Sequence, residues 1–242
     1  MPIKENSPTT LAAVRRDIRA LGSPERAKHS LRFFRTGPGE YGEGDKFYGL
    51  SVPEMRAIAK RYRDLRHEDV VELLQSDWHE ERLVALLLLV DGYKRGDATR
   101  RRKIHRAYLD NTHRINNWDL VDMSAGQLVG DHLDAAEISL LEKLARSKDL
   151  WERRIAIVAT FHFIKQDQLA PTLRIAELLI EDEHDLIHKA VGWMLREVGK
   201  KNRQVLDTFL ARHYRDMPRT MLRYAIERHP EETRKRYLAG TI

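Results

Sequence analysis

The chain of 242 residues contains no cysteine. Neither a disulfide framework nor a thiolate metal site is therefore available, which fits a reducing cytoplasm. No apolar stretch approaches the length of a membrane span, and the short apolar run 83–90 is flanked by charge, which predicts a buried core helix. The N-terminal residues 1–6 show no apolar region after their charge, unlike a signal peptide. We expect a cytoplasmic protein without membrane association.

Runs with a strand-like alternation of apolar and polar residues are scarce. Apolar residues instead return at intervals of three and four positions, as in helices buried on one face. The Ser23-Pro24 dipeptide offers an N-cap followed by proline at the first helical position, and Ser51 and Glu54 have the spacing of a capping box. The glycines and the proline of segment 36–46 exclude a helix there. The sequence predicts an all-α fold interrupted by one Gly-rich loop.

An internal repeat organises these helices. Segments 77–83, 149–155 and 185–191 share an acidic helix start, a charged first turn and then an apolar helix. Two helices per unit of this length are typical of a HEAT-like repeat solenoid, whose corresponding helices line a concave surface. We expect one domain over residues 1–242, with N-terminal helices and the loop 36–46 in residues 1–50. A plain helical bundle is the alternative.

The charge of the chain is positive and clustered. It has 43 Lys and Arg against 37 Asp and Glu, a net charge of +6. Basic residues bunch in segments 94–106 and 196–203, at helix ends rather than in one tail, which indicates a basic groove that binds a polyanion. The alternative is that these runs are solvated helix faces that keep the protein soluble.

One segment, 116–122, combines an aromatic ring with a carboxylate. Trp118 and Asp122 are separated by one helical turn, so both can address one small target, and both favour a positively charged one. Trp193 and Arg196 stand at a similar spacing in a later repeat. Alternatively, the two indoles fill the core and Asp122 is solvated or paired with Arg114.

Two histidines, His184 and His188, have the helical spacing of a metal pair. No clear third ligand accompanies them, so a solvated helix face is the better interpretation. We therefore predict no metal site.

At three segments the sequence resembles the AlkD-like DNA glycosylases, a family of DNA alkylation repair enzymes built from HEAT-like repeats. The matching segments are Asn117-Trp118-Asp119-Leu120-Val121-Asp122, Trp151-Glu152-Arg153-Arg154-Ile155-Ala156-Ile157 and Lys189-Ala190-Val191-Gly192-Trp193-Met194-Leu195-Arg196-Glu197. The resemblance runs from the Ser23 helix to about Asn202. It implies excision of cationic N3- and N7-alkylated purines from double-stranded DNA, without a metal or an organic cofactor.

The resemblance also implies roles for individual residues. Asp122 corresponds to the catalytic carboxylate, and Trp118 and Trp193 to the aromatic walls around the sugar of the lesion. Arg154 and Arg196 correspond to residues that grip the DNA backbone. We also expect Arg153, Lys189 and Phe33 to contact DNA. Single-chain relatives imply a monomer, and we expect no obligate protein partner. The absence of targeting signals predicts a cytoplasmic protein, associated with the nucleoid when bound to DNA.

Two features depart from the family pattern. Phe33 stands where family members place a tyrosine near the lesioned base pair, which removes a hydroxyl donor from that position. The Gly-rich loop is also longer than the corresponding connection. These departures bear on activity more than on fold.

Two other functions remain compatible with the sequence. A non-catalytic HEAT-like module would bind damaged or branched DNA through the same basic surface but release no base. A protein-interaction solenoid would hold a peptide in its groove and would not bind DNA even at low salt.

Overall fold

In the computed structural model, which describes residues 9–242, the described chain is helical and contains no β-strand. A single isolated bridge, of parallel type, joins Lys46 to Trp78 within that range. The predicted all-α class is confirmed. Contacts divide the chain into two compact units, residues 1–124 and 125–242. The single domain over 1–242 stays a prediction, and its residues 1–8 lie outside the described part.

Over its described residues, 9–124, the first unit contains six complete α-helices and the start of a seventh. They are α1 (Leu11–Ala20), α2 (Pro24–Phe33), α3 (Val52–Arg61), α4 (His67–Leu74), α5 (His79–Arg95) and α6 (Ala98–Leu109), followed by a 3-10 helix (Thr112–Arg114) and by α7 (Trp118–Leu128), which continues into the second unit. Their starts follow local chemistry. Ser23 caps α2 with Pro24 in its first turn, and Ser51 and Glu54 form the capping box of α3, as predicted.

Helix α5 forms the centre of the first unit. It packs against α3, α4, α6 and α1. Its apolar run 83–90 is almost entirely buried, which confirms the predicted core helix. Even its charged first turn is buried: His79, Glu80, Glu81 and Arg82 each expose 2% or less of their surface. Such groups need partners inside the protein.

The Gly-rich segment between α2 and α3 is a loop, as predicted. Its end is fixed by the carboxylate of Glu80, which accepts hydrogen bonds from the backbone amides of Tyr48 (3.0 Å), Gly49 (2.7 Å) and Leu50 (3.2 Å). Gly49 has a φ of +84°, and a Cβ there would lie 2.3 Å from the carbonyl oxygen of Ser23. Only glycine fits this close approach.

The second unit contains the remaining helices. They are a 3-10 helix (Gly130–His132), α8 (Ser139–Ala145), α9 (Leu150–Ala159), α10 (Phe161–Lys165), α11 (Ala170–Leu178), α12 (Asp185–Lys201), α13 (Arg203–His213), α14 (Arg219–Ala225) and α15 (Glu231–Ala239). The long α12 packs against α9, α11, α13 and α14. Among the described helices of both units, none has the length and hydropathy to cross a membrane.

The predicted repeat positions coincide with the starts of α5, α9 and α12. Their caps differ in kind, however. Asp149 caps α9 with its carboxylate, whereas the imidazole of His184 caps α12 and Trp78 precedes α5 without a side-chain cap. The shared acidic start is therefore a true cap only in α9.

Candidate active site

The predicted site in the first unit lies at the start of α7. Trp118 is the first residue of the helix, and its backbone amide donates to the side-chain oxygen of Asn117 at 2.8 Å. Asp122 follows one turn later on the same helix face. Both side chains are half-buried, so each keeps part of its surface open to solvent.

The Trp118 ring packs against two aromatic rings at the C-terminal end of α2. Its centroid lies 5.8 Å from that of Phe33, edge to face, and 5.4 Å from that of Phe34, stacked. Phe33 is 55% exposed, one of the few large apolar side chains left in solvent among the described residues. The exposed phenyl ring and the half-exposed indole together form an apolar surface suited to a base or a sugar. The structure thus brings together two residues that the sequence predicted for DNA contact.

Asp122 lies close to a buried phenol. Burial raises the pKa of Tyr108, a hydrogen bond from Ser124 (3.1 Å) opposes the rise, and the negative charge of Asp122 adds to it. The sequence left open a pairing of Asp122 with Arg114. The guanidinium of Arg114 donates to the backbone carbonyls of Gln75 (2.5 Å) and Ser76 (2.6 Å). These contacts hold Arg114 against the end of α4.

A buried cluster of charged side chains supports the first turn of α7. His79 Nε2 lies 2.8 Å from Asp119 Oδ2, and His79 Nδ1 lies 3.4 Å from Asp45 Oδ2. Arg82 Nη2 donates to Asp45 Oδ1 at 2.7 Å. The side-chain amide of Asn117 also donates to Asp45, at 3.3 Å. Asp45 closes the Gly-rich loop, so the cluster links that loop to α5 and α7.

Sequence reasoning missed this cluster. In the sequence, the charged first turn of segment 77–83 stands out only as a feature of the repeat. The sequence does contain a sign of this cluster. The charged residues directly precede the apolar run 83–90, and a helix that is apolar on all sides is buried on all sides, so its first turn is expected to be buried as well.

The predicted residues of α12 lie on the second unit. Trp193 is half-buried; its indole Nε1 donates to Glu197 at 3.2 Å, and its ring lies 5.9 Å from that of Phe161. Arg196 forms an ion pair with Glu227. Lys189 pairs with Asp185 at 2.7 Å, one turn earlier. Each predicted cation on this helix is thus held by an acidic neighbour.

The two arginines of α9 make internal contacts. Arg153 Nε donates to Asp182 at 2.6 Å, and its Nη1 donates to the carbonyls of Ser147 and Lys148. Arg154 is 5% exposed and donates to the carbonyl of Leu186 at 2.7 Å. Arg153 therefore ties α9 to the segment before α12, and Arg154 ties it to the first turn of α12. DNA contact by either arginine stays a prediction.

The remaining candidates have structural partners. His184 accepts from the Leu186 amide at 3.1 Å, and His188 contacts the carbonyl of Asp182. The other two tryptophans have packing roles. Trp78 stacks on Tyr48 with ring centroids 3.8 Å apart, and Trp151 is buried at the start of α9.

The fold and the residues of α7 define a helical-repeat protein with an exposed aromatic and acidic surface. A family model described as DNA alkylation repair enzyme matches residues 14–229, and the chain therefore belongs to that family. This membership places the protein in DNA alkylation repair. No curated protein matches the chain.

Solved structures share the fold. A predicted DNA alkylation repair enzyme from Enterococcus faecalis superposes with a TM-score of 0.68 at 19% identity, covering 87% of this chain and 97% of that one. AlkD2 from Streptococcus mutans superposes with a TM-score of 0.54 at 17% identity, covering 90% and 96%. At such identities the likeness concerns the fold alone.

Proposed function

We propose that the protein is a DNA glycosylase that hydrolyses the N-glycosidic bond of cationic N3- and N7-alkylated purines in double-stranded DNA. The observation that carries the proposal is the pair on α7: a half-buried carboxylate, Asp122, one turn from a half-buried indole, Trp118. The exposed Phe33 ring extends this surface. Membership of the alkylation repair family supports the choice of substrate.

The chemistry asked of Asp122 is electrostatic. A purine alkylated at N3 or N7 carries a positive charge and departs as a neutral base, so no general acid has to protonate it. Positive charge then develops on the deoxyribose ring, as in the oxocarbenium-like transition state of glycoside hydrolysis. Asp122 stabilises that charge and orients the attacking water.

The aromatic rings contact the sugar and the bases of the lesioned DNA. The indole face of Trp118 attracts the developing sugar cation and displaces water from it. Phe33 offers a ring on which a nucleobase can stack. The family resemblance implies that the lesion is processed without a deep base pocket, so bulky alkyl groups are tolerated. Neutral lesions are poor substrates, because their base does not carry the positive charge that makes it a good leaving group. The role of Trp193 as a second aromatic wall stays a prediction from the family resemblance.

Release of free base tests the proposal. The protein is incubated with methylated duplex DNA, and released 7-methylguanine and 3-methyladenine are quantified by mass spectrometry. A matched duplex containing uracil, a neutral base, serves as the control. We expect release of the two methylated purines and little release of uracil. Equal rates on uracil and 7-methylguanine would exclude the cationic mechanism.

The same experiment decides between the enzyme and the binding module. Salt-dependent DNA binding without any released base would replace the glycosylase by a non-catalytic DNA-binding protein. Its log K would fall by about 0.9 per neutralised phosphate for each tenfold rise in salt.

A further inference from the structure

Both ring nitrogens of His79 face carboxylates inside the protein. Nε2 lies 2.8 Å from Asp119 and Nδ1 lies 3.4 Å from Asp45, while the side chain is 2% exposed. A neutral imidazole has one N–H and one lone pair, so one carboxylate would then face a lone pair. Two hydrogen bonds require both nitrogens to be protonated. With both carboxylates ionised, this arrangement favours an imidazolium.

The charges around His79 balance. Asp45 and Asp119 contribute two negative charges, and His79 and Arg82 contribute two positive ones. Burial opposes the charged imidazole, but the charge of Asp119 and hydrogen bonds with Asp119 and Asp45 outweigh it, although Arg82 works against them. The pKa of His79 is raised to about 9. The cluster is thus an ion-pair network without excess charge, which is the condition for burying such groups.

Aromatic rings connect the same imidazolium to Trp118. The His79 ring lies 4.8 Å from both Phe34 and Phe47, which accept a cation against their faces. Phe34 in turn stacks on Trp118 at 5.4 Å and 29°. Two routes therefore lead from His79 to the Trp118 ring, one through the hydrogen bond to Asp119 and one through Phe34.

We infer that His79 is a positioning residue for Trp118: held between Asp45 and Asp119, it fixes the first turn of α7 and the plane of the indole. The Gly-rich loop contributes to this positioning, because it places Asp45 on the side of the imidazole opposite Asp119. The consequence for base excision rests on the proposed function, whereas the positioning of the ring does not.

Fluorine NMR of the protein labelled with 5-fluorotryptophan measures the indole directly. The chain has four tryptophans, and Trp118→Phe and Trp193→Phe variants assign the two resonances of interest. We expect His79→Gln, which keeps one amide donor but no charge, to shift and broaden the Trp118 resonance while leaving that of Trp193 in place. In the unmodified protein the Trp118 resonance titrates with a midpoint of about 9, and in His79→Gln this titration is absent.

A matched control is available in the second unit. His229 is buried there, and its Nε2 lies 2.7 Å from Asp207. His229→Gln removes a histidine–carboxylate contact of the same kind without touching α7, so it lowers stability but leaves the Trp118 resonance unchanged. A folded His79→Gln variant with an unmoved Trp118 resonance overturns the inference, as does an equal shift in both variants.

Kinetics and folding complete the test. On methylated DNA, His79→Gln lowers the single-turnover rate by about 10- to 100-fold, because a misplaced ring loses its alignment with the sugar. If the unmodified protein releases no base but the Trp118 resonance still responds to His79, the proposed function fails and the positioning role stands. If His79→Gln does not fold, Asp45→Asn decides. It removes the carboxylate on the far side of the imidazole without changing α7, and an unmoved Trp118 resonance in this variant contradicts the inference.

Discussion

His79 Nε2 lies 2.8 Å from Oδ2 of Asp119, the residue that follows Trp118 in the first turn of α7. This contact joins the first buried turn of the central helix of the first unit to the helix that carries the proposed catalytic carboxylate. Stability and site geometry therefore depend on the same ion-pair cluster.

The first prediction concerns pH. Because the pKa of His79 is raised from 6.5 to about 9 in the fold, the folded protein holds a proton that the unfolded chain releases between these values. The stabilisation is fully present below pH 6.5, declines above it and is lost as pH rises through about 9. Its total is roughly 3 kcal/mol.

Urea unfolding at pH 6 and pH 9 measures this effect. We compare the unmodified protein with His79→Gln, so that the titration of other histidines cancels in the difference. A stability difference between the two proteins that stays constant with pH shows that His79 is not held as a cation.

A second prediction concerns Asp45. Asp45→Asn leaves the buried Arg82 without its carboxylate partner and His79 with Asp119 alone, so the free energy of unfolding falls by about 3–5 kcal/mol. Asp77→Asn is the matched control, because Asp77 lies in solvent and pairs with the exposed Lys46. Asp77→Asn changes the free energy of unfolding only slightly, because an exposed ion pair contributes little. Equal midpoints for the two variants in thermal unfolding contradict the burial argument.

A third prediction concerns Phe33. Although this ring is 55% exposed, its buried part contacts three neighbouring rings, so Phe33→Ala lowers the free energy of unfolding by about 1–2 kcal/mol. Loss of base stacking weakens DNA binding by about 1–3 kcal/mol. Phe33→Tyr keeps the ring and restores the hydroxyl of the family pattern, so it binds at least as well as the unmodified protein. Fluorescence anisotropy with a labelled duplex gives the affinities; unchanged binding by Phe33→Ala removes Phe33 from the interface.

A fourth prediction concerns Arg196. Its guanidinium is held mainly by Glu227, with a longer contact to Glu197 at 3.7 Å. Glu227→Gln therefore makes it more available to a phosphate and strengthens DNA binding, whereas Arg196→Gln weakens binding and reduces the salt slope by about 0.9. Glu231→Gln, which removes an exposed carboxylate from the same unit, measures the effect of charge alone. Identical affinities of the two glutamate variants show that Glu227 does not restrain Arg196.

Local signals in the sequence predicted the helices well. The N-cap at Ser23, the capping box at Ser51 and the glycines of the loop between α2 and α3 act within a few residues, so their effects can be read from adjacent positions. The placement of Trp118 and Asp122 on one helix face follows from spacing alone.

Long-range contacts were not predictable in this way. The Asp45–His79–Asp119 cluster joins a loop, the first turn of α5 and the first turn of α7, and no periodicity relates these positions. Phe33 was identified only through the family resemblance, and its contact with Trp118 depends on how α2 lies against α7. Ion pairing of Arg196 with Glu227 is likewise a product of packing between helices.

Single-turnover release of 7-methylguanine by Asp122→Asn, measured beside DNA affinity, tests the central claim most directly. Asparagine keeps the shape of the side chain and removes its charge. The account predicts a loss of about 10²- to 10³-fold in rate, with DNA affinity nearly unchanged. A variant that releases base as fast as the unmodified protein contradicts the claim that the Asp122 carboxylate stabilises the sugar cation.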